Sequence, residues 1–99
     1  MASRARAWPR EPEDVDPAIV AAVVQVLADA LLLSPEVAGG LSADTPLFGQ
    51  LPELDSMAVA TVLTALEDRF GILIDDEDVT AGLFATVGTL AAFVASRRP

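Results

Sequence analysis

Two stretches in which apolar residues recur at intervals of three and four constrain the fold of this chain more than any other feature. This spacing places the apolar residues on one face of a helix. In the first stretch they are Ile19, Val23, Val26, Leu27, Ala30 and Leu31, and Ala18, Ala22, Gln25 and Asp29 fall opposite them. Asp16 before Pro17 is a typical helix start, and Ser34-Pro35 predicts that this helix ends near Leu33.

The second stretch predicts a helix from Ser56 to Phe70, with Gly71 as its C-terminal cap. The apolar stripe of this helix consists of Val59, Val62, Leu63, Leu66 and Phe70. Thr61, Thr64 and Asp68 fall on the opposite face. The pattern is typical of a helix that packs one face on a core and exposes the other to water.

The remaining segments predict a loop, a helical turn and a last helix. Residues 34–54 contain three prolines and three glycines, which predicts a long loop ordered by its apolar residues. The acidic run Asp75–Asp78 favours a short helical turn, because carboxylates stabilise the N-terminal end of a helix. A last helix is expected after Thr86 as its cap, with Val87, Leu90, Ala91 and Val94 buried.

The expected fold is therefore all-α, a bundle of three main helices and a short third helix, with a long loop between the first and second helices. The apolar run 72–74 has no second strand to pair with, so we interpret it as a packed connector. We assign residues 1–14 to a disordered N-terminal tail, 15–96 to the folded domain and 97–99 to a C-terminal tail.

The chain contains neither cysteine nor histidine. This excludes disulfides, thiolate nucleophiles, histidine-based triads and the usual zinc sites. An enzyme would have to work with carboxylates, hydroxyls and six arginines alone. We therefore expect a protein with no catalytic residues and no metal site.

Charge is unevenly distributed along the chain. Between Glu11 and Ser96 there are fifteen acidic residues and a single basic one, Arg69. Such a body repels phosphate backbones, so nucleic acid is not an expected partner. It would instead attract proteins that present basic patches.

The apolar stretch 18–33 follows an arginine-containing N-terminus and could be mistaken for a signal sequence. The acidic run 11–16 separates the two, Gln25 and Asp29 interrupt the stretch, and it is shorter than the ~20 apolar residues of a membrane span. We expect a cytoplasmic protein that does not span a membrane.

Asp55-Ser56-Met57 is the candidate functional motif. Either Asp55 or Ser56 could be a simple helix cap. Alternatively, Ser56 is an exposed hydroxyl at the positive end of a helix, where an attached phosphodiester would be stabilised. With no general base in the composition, it would have to be modified by another enzyme. Met57 falls in the column of Thr61 and Thr64, away from the apolar stripe, and suits a docking surface.

The sequence resembles the acyl carrier protein family. The segment 51–57, Leu-Pro-Glu-Leu-Asp-Ser-Met, is similar to the attachment motif Asp-Ser-Leu of that family, with Met in place of Leu. The segment 65–72, Ala-Leu-Glu-Asp-Arg-Phe-Gly-Ile, is similar to the end of the second helix of that family. The segments 74–76, 84–87 and 93–94 resemble its third and fourth helices, so the resemblance extends over about residues 16–96.

The resemblance implies a four-helix carrier with 4'-phosphopantetheine as covalent cofactor. A phosphopantetheinyl transferase would move this group from coenzyme A to Ser56, with Asp55 as part of the motif. Pathway enzymes and an acyl-loading enzyme would then dock transiently on a monomer, at Met57, Glu67 and Asp68.

One departure from the family favours a dedicated pathway. Many fatty-acid carriers have acids near the start of the second helix, whereas this chain has Ala58 and Thr61. This favours a lipid, polyketide or other specialised pathway over housekeeping fatty-acid synthesis, such as one with a stand-alone carrier loaded by an adenylating ligase. An acyltransferase is the other loading enzyme that the resemblance implies.

Two alternatives remain open from the sequence. The first is a peptidyl or aminoacyl carrier of the same fold, which the acidity disfavours. The second is a small acidic helical interaction module without a prosthetic group, in which Asp55-Ser56 is only a cap.

Overall fold

The computed structural model describes residues 15–48, 51–80 and 82–97. Its helices are α1 (Pro17–Leu31), α2 (Pro35–Gly39), α3 (Ser56–Phe70) and α4 (Val87–Arg97), with a 3₁₀ turn at Asp76–Asp78 between the last two. Within these ranges the only extended pairing is an isolated antiparallel bridge between Pro46 and Thr86. The all-α expectation is therefore confirmed. The tail assigned to residues 1–14 lies outside the described residues.

Helix α1 is the centre of the domain, because it packs against both α3 and α4. Its N-cap is Asp16, whose carboxylate accepts a hydrogen bond of 2.9 Å from the Ala18 N–H, and Pro17 is the first helical residue. One expectation about this helix was wrong. Ala22 was placed on the outer face, but it is buried, since a helix with two packing partners buries a wider face than one apolar stripe indicates.

The short helix α2 corrects the expectation of a loop from 34 to 54. Ser34 is its N-cap, accepting a hydrogen bond of 3.2 Å from the Val37 N–H, and Pro35 is its first residue. Ser34-Pro35 thus follows the end of one helix and begins another. Asp16-Pro17 was interpreted correctly from the same kind of signal, so the sequence did contain the information for α2.

The rest of the loop is held by hydrogen bonds to the start of α4. The N–H groups of Val87 and Gly88 donate to the carbonyls of Thr45 and Ala43, at 3.0 and 2.8 Å. Leu47 is fully buried among the core residues. Thr86 caps α4 as expected, because its hydroxyl accepts a bond of 3.0 Å from the N–H of Thr89.

Helix α3 begins and ends as predicted. Val62 and Leu66 are fully buried, while Val59, Leu63 and Phe70 are partly buried against the core. Gly71 ends the helix in the left-handed conformation, with φ of 66°, and its N–H donates to the Glu67 carbonyl.

The connector after α3 is attached to the helices by polar contacts. The Ile74 N–H donates to Oε2 of Glu67 at 2.8 Å. Nη2 of Arg97 lies 2.7 Å from Oδ1 of Asp78. A hydrogen bond with the backbone of Asp75, followed by the Arg97 side chain, lowers the pKa of Asp78 below its ordinary value. Arg97 belongs to α4, although the sequence had assigned it to the C-terminal tail.

Within the described ranges, no helix combines the length and hydropathy needed to cross a bilayer.

The corner after α1 predicts a stabilising substitution. Leu32 has φ of 56° and is 89% exposed, so it is strained without burying its side chain. We expect Leu32→Gly to raise the free energy of unfolding by about 0.5–1 kcal/mol, as the relieved strain exceeds the added chain entropy. Leu73 is the matched control, being 80% exposed without a positive φ. Urea denaturation should show Leu73→Gly destabilised, and equal effects of the two substitutions would contradict the strain argument.

The lowered pKa of Asp78 predicts a pH-dependent contribution to stability. The folded state favours the ionised carboxylate, so this contribution is fully present above 3.8, the ordinary pKa, and is lost as the pH falls through the lower folded value. We expect the unfolding free energies of the wild type and Asp78→Asn to differ at neutral pH and to converge under acid. A difference that is constant from pH 7 to pH 2 would show that the carboxylate charge is not responsible.

Candidate functional site

Ser56 is the first residue of α3, and Asp55 is the N-cap. Oδ1 of Asp55 accepts a hydrogen bond of 2.8 Å from the Ala58 N–H, and the Asp55 carbonyl accepts the first helical bond from Val59 at 2.9 Å. Asp55 therefore satisfies the capping requirement of this helix by itself. The sequence left open which of the two residues caps α3, and the geometry assigns that role to Asp55.

The Ser56 hydroxyl is exposed and free. Of the four serines within the described ranges, Ser34 caps α2, Ser42 bonds to Thr45, and Ser96 donates to the Phe93 carbonyl. Ser56 is the remaining one, and its hydroxyl has no hydrogen-bond partner in the part of the chain that the structure describes. A hydroxyl that holds no structural bond can be modified without loss of stability to the fold.

The backbone around Ser56 suits a phosphate. The N–H groups of Ser56 and Met57 belong to the first turn of α3, where helix geometry provides no intrahelical acceptor. These donors and the helix dipole together favour negative charge at this end. The residues present therefore fit a phosphodiester on the Ser56 oxygen.

The segment before Ser56 is fixed by buried leucines. Leu51 and Leu54 are 3% and 6% exposed, and the Leu54 N–H donates to the Leu51 carbonyl at 3.0 Å. Exposed Pro52 and Glu53 lie between them. Ser56 thus follows a turn whose two ends are anchored in the core. Leu54 is a supporting residue that the sequence analysis does not identify.

The face of α3 beside Ser56 carries no charge. Met57 is 81% exposed, and Ala60, Thr61 and Thr64 are exposed along the same side. From residue 56 to residue 66 the sequence contains no ionisable side chain. The structure thus places Met57 next to the serine with its side chain in solvent, as the spacing predicts.

The two acids predicted for docking lie about 16 Å further along the helix, at 1.5 Å per residue, and they differ in their contacts. Glu67 is half-buried, and its carboxylate holds the Ile74 N–H at 2.8 Å. Asp68 is exposed, and no described residue bonds to its side chain. Of the two, only Asp68 is free to meet a partner without breaking an internal bond.

Other chemistry is not organised in this region. No group of three His, Cys, Asp or Glu side chains that could hold a metal ion occurs within the described ranges. An open groove of about 380 Å³ between the start of α1 and the end of α3 is lined by residues that include Ile19, Arg69 and Phe70. It lies at the opposite end of α3 from Ser56 and does not contribute to this site.

Comparisons with known proteins agree with this geometry. The family model for the phosphopantetheine attachment site matches residues 21–94 of the chain. Among solved structures, the chain is similar to the holo acyl carrier protein of Nitrosomonas europaea, determined in solution by NMR, with 45% identity and a TM-score of 0.72. This match covers 78% of the present chain and 92% of the other. No curated protein matches the sequence.

The cap at Asp55 predicts a loss of stability on substitution. Asp55→Ala leaves the Ala58 N–H without its acceptor, so we expect the free energy of unfolding to fall by about 1 kcal/mol. Asp55→Asn keeps a side-chain oxygen at the same place and should stay within a few tenths of a kcal/mol of the wild type. Chemical denaturation of the three proteins measures both effects. Equal stability of Asp55→Ala and the wild type would mean that another group caps α3.

Proposed function

Because the chain belongs to the acyl carrier proteins, non-catalytic carriers with a covalently attached 4'-phosphopantetheine, we propose that Ser56 is the residue to which this group is attached. The observation that carries the proposal is the free hydroxyl of Ser56 at the first position of α3, beside an aspartate that already caps the helix. The alternative of an interaction module without a prosthetic group is not retained.

The attachment requires little of the chain itself. The Ser56 oxygen attacks the phosphorus that bears the pantetheine arm in coenzyme A, the pyrophosphate bond breaks, and adenosine 3',5'-bisphosphate leaves. The hydroxyl proton passes to a base of the phosphopantetheinyl transferase, since the chain has no histidine to accept it. When bound, the arm supplies a terminal thiol that holds acyl groups as thioesters. The N–H groups at the start of α3 then stabilise the phosphodiester charge at Ser56.

The docking surface that we propose extends from Met57 to Asp68. Met57 supplies a large, adaptable apolar side chain next to the attachment point. Asp68 supplies an exposed charge that a basic residue of a partner could meet. Glu67 belongs to the same proposal, but a partner would have to compete with the Ile74 N–H for its carboxylate.

The uncharged first turns of α3 support a dedicated lipid, polyketide or other specialised pathway. A partner that selects carriers by acids near the serine would find none between residues 56 and 66. We propose that an adenylating ligase loads this carrier. The transferase and the ligase consume coenzyme A and ATP, which the cytoplasm supplies, and we propose that the carrier acts there as a monomer.

The test of the attachment site uses the absence of cysteine. Since the chain has no thiol, a thiol-specific maleimide can label it only after the arm is attached. We expect incubation with coenzyme A and a broad-specificity phosphopantetheinyl transferase to add the mass of one phosphopantetheine and one maleimide-reactive group. Ser56→Ala should gain neither.

Ser34→Ala is the matched control, because Ser34 also lies at the start of a helix but uses its hydroxyl as a cap. It should be loaded like the wild type. A gain of mass in Ser56→Ala, or no gain in the wild type with several transferases, would disprove Ser56 as the attachment residue.

A further inference from the structure

The segment 71–80, which we call the strap, follows α3 and precedes the turn that leads into α4. Its apolar attachment to the core is thin. Ile72 is buried and Ile74 is half-buried, whereas Leu73 is 80% exposed and Asp75–Glu77 are all exposed. A segment with few buried contacts is expected to open at a lower free energy than the helices around it.

The strap lies between the C-terminal ends of α3 and α4, each of which packs more closely on α1 than on the other. Helix α1 packs against both α3 and α4, but α3 and α4 have no comparable contact of their own within the described ranges. Ile72 belongs to the core cluster with Leu66 of α3 and Leu90 of α4. The strap is therefore the part of the chain that joins the C-terminal ends of these two helices.

Two charged side chains fasten the strap, one at each helix. Glu67 of α3 accepts the Ile74 N–H at 2.8 Å. Arg97 of α4 makes two polar contacts with the strap, from Nη2 to Oδ1 of Asp78 at 2.7 Å and from Nη1 to the Leu73 carbonyl at 3.5 Å. The Glu67 contact joins residues seven positions apart, whereas the Arg97 contacts join residues that are 19 and 24 positions apart.

Arg97 is itself held in place. Its guanidinium carbon lies 4.8 Å from the centroid of the Phe93 ring, one helical turn earlier on α4. Phe93 is buried, so the ring is a fixed platform for the cation. The planar guanidinium can then bond to a carboxylate and a carbonyl at once, which a lysine ammonium cannot match in geometry.

We propose that Arg97 is a latch that holds the strap closed between α3 and α4, and that the strap opens more readily than α1, α3 or α4. Release of Arg97 frees the middle of the strap around Asp78, while Glu67 holds Ile74 and the Leu83 N–H holds the Thr80 carbonyl, so the strap bows outward between these two points.

Hydrogen exchange of the unmodified chain, measured by NMR, tests the latch. We expect Arg97→Gln to lower the protection of the Asp78 and Val79 amides by about threefold or more, the scale of an ion pair reinforced by a ring contact. The amides of Val23 and Leu27 in α1 should be unchanged. Equal loss at all four amides would make Arg97 a general stabiliser and would overturn the latch, as would no change at any of them.

Two further variants sharpen the result. Arg69→Gln is the matched control, because Arg69 also lies over a phenylalanine, Phe70 at 5.7 Å, but holds no part of the strap. It should leave the protection of the strap amides unchanged. Asp78→Asn combined with Arg97→Gln should lower strap protection by less than the product of the two single effects, since both remove the same contact. Independent, multiplicative effects would contradict the proposal.

This experiment separates the latch from the proposed function. Exchange is measured without coenzyme A or transferase, so its outcome does not depend on Ser56. Loading of Arg97→Gln by the transferase, measured by mass in parallel, should equal that of the wild type. A loading defect with normal strap protection would mean that Arg97 acts in docking and not as a latch.

Discussion

The fold depends on the packing of α1 against both α3 and α4. Helix α1 buries six residues against its neighbours, and Asp29 is its one charged residue. The other elements then have specific tasks. The loop containing Leu47 covers the start of α4, and the strap covers the space where α3 and α4 would otherwise meet. A domain of this size has little surplus core, so each covering segment matters to stability.

The candidate site separates structural and chemical roles between adjacent residues. Asp55 satisfies the first turn of α3, Leu54 anchors the turn before it, and Ser56 is left with no structural task. If the same serine also capped the helix, any change at its hydroxyl would act directly on the first turn of α3. The observed arrangement avoids that coupling.

The features of the fold that local sequence sets could be predicted, whereas those set by contacts between distant residues could not. Asp55 and Gly71 fix the ends of α3, and both act within one turn of chain, so the helix could be predicted at both ends. Ser34-Pro35 is an equally local signal that was interpreted only as a stop, which is why α2 was missed. The burial of Ala22 depends on a second packing partner, and the contact of Arg97 with Asp78 joins residues 19 positions apart. Neither follows from periodicity, because both are set by how the helices pack.

The hydrogen bonds between the loop and α4 have a consequence for the order of events during protein synthesis. The carbonyls of Ala43 and Thr45 find their donors only at Gly88 and Val87, more than forty residues later. Ser56 therefore leaves the ribosome before the helix that fixes the loop preceding it and that completes the packing around α1. A partner that recognises the native arrangement therefore meets it only after α4 has been made.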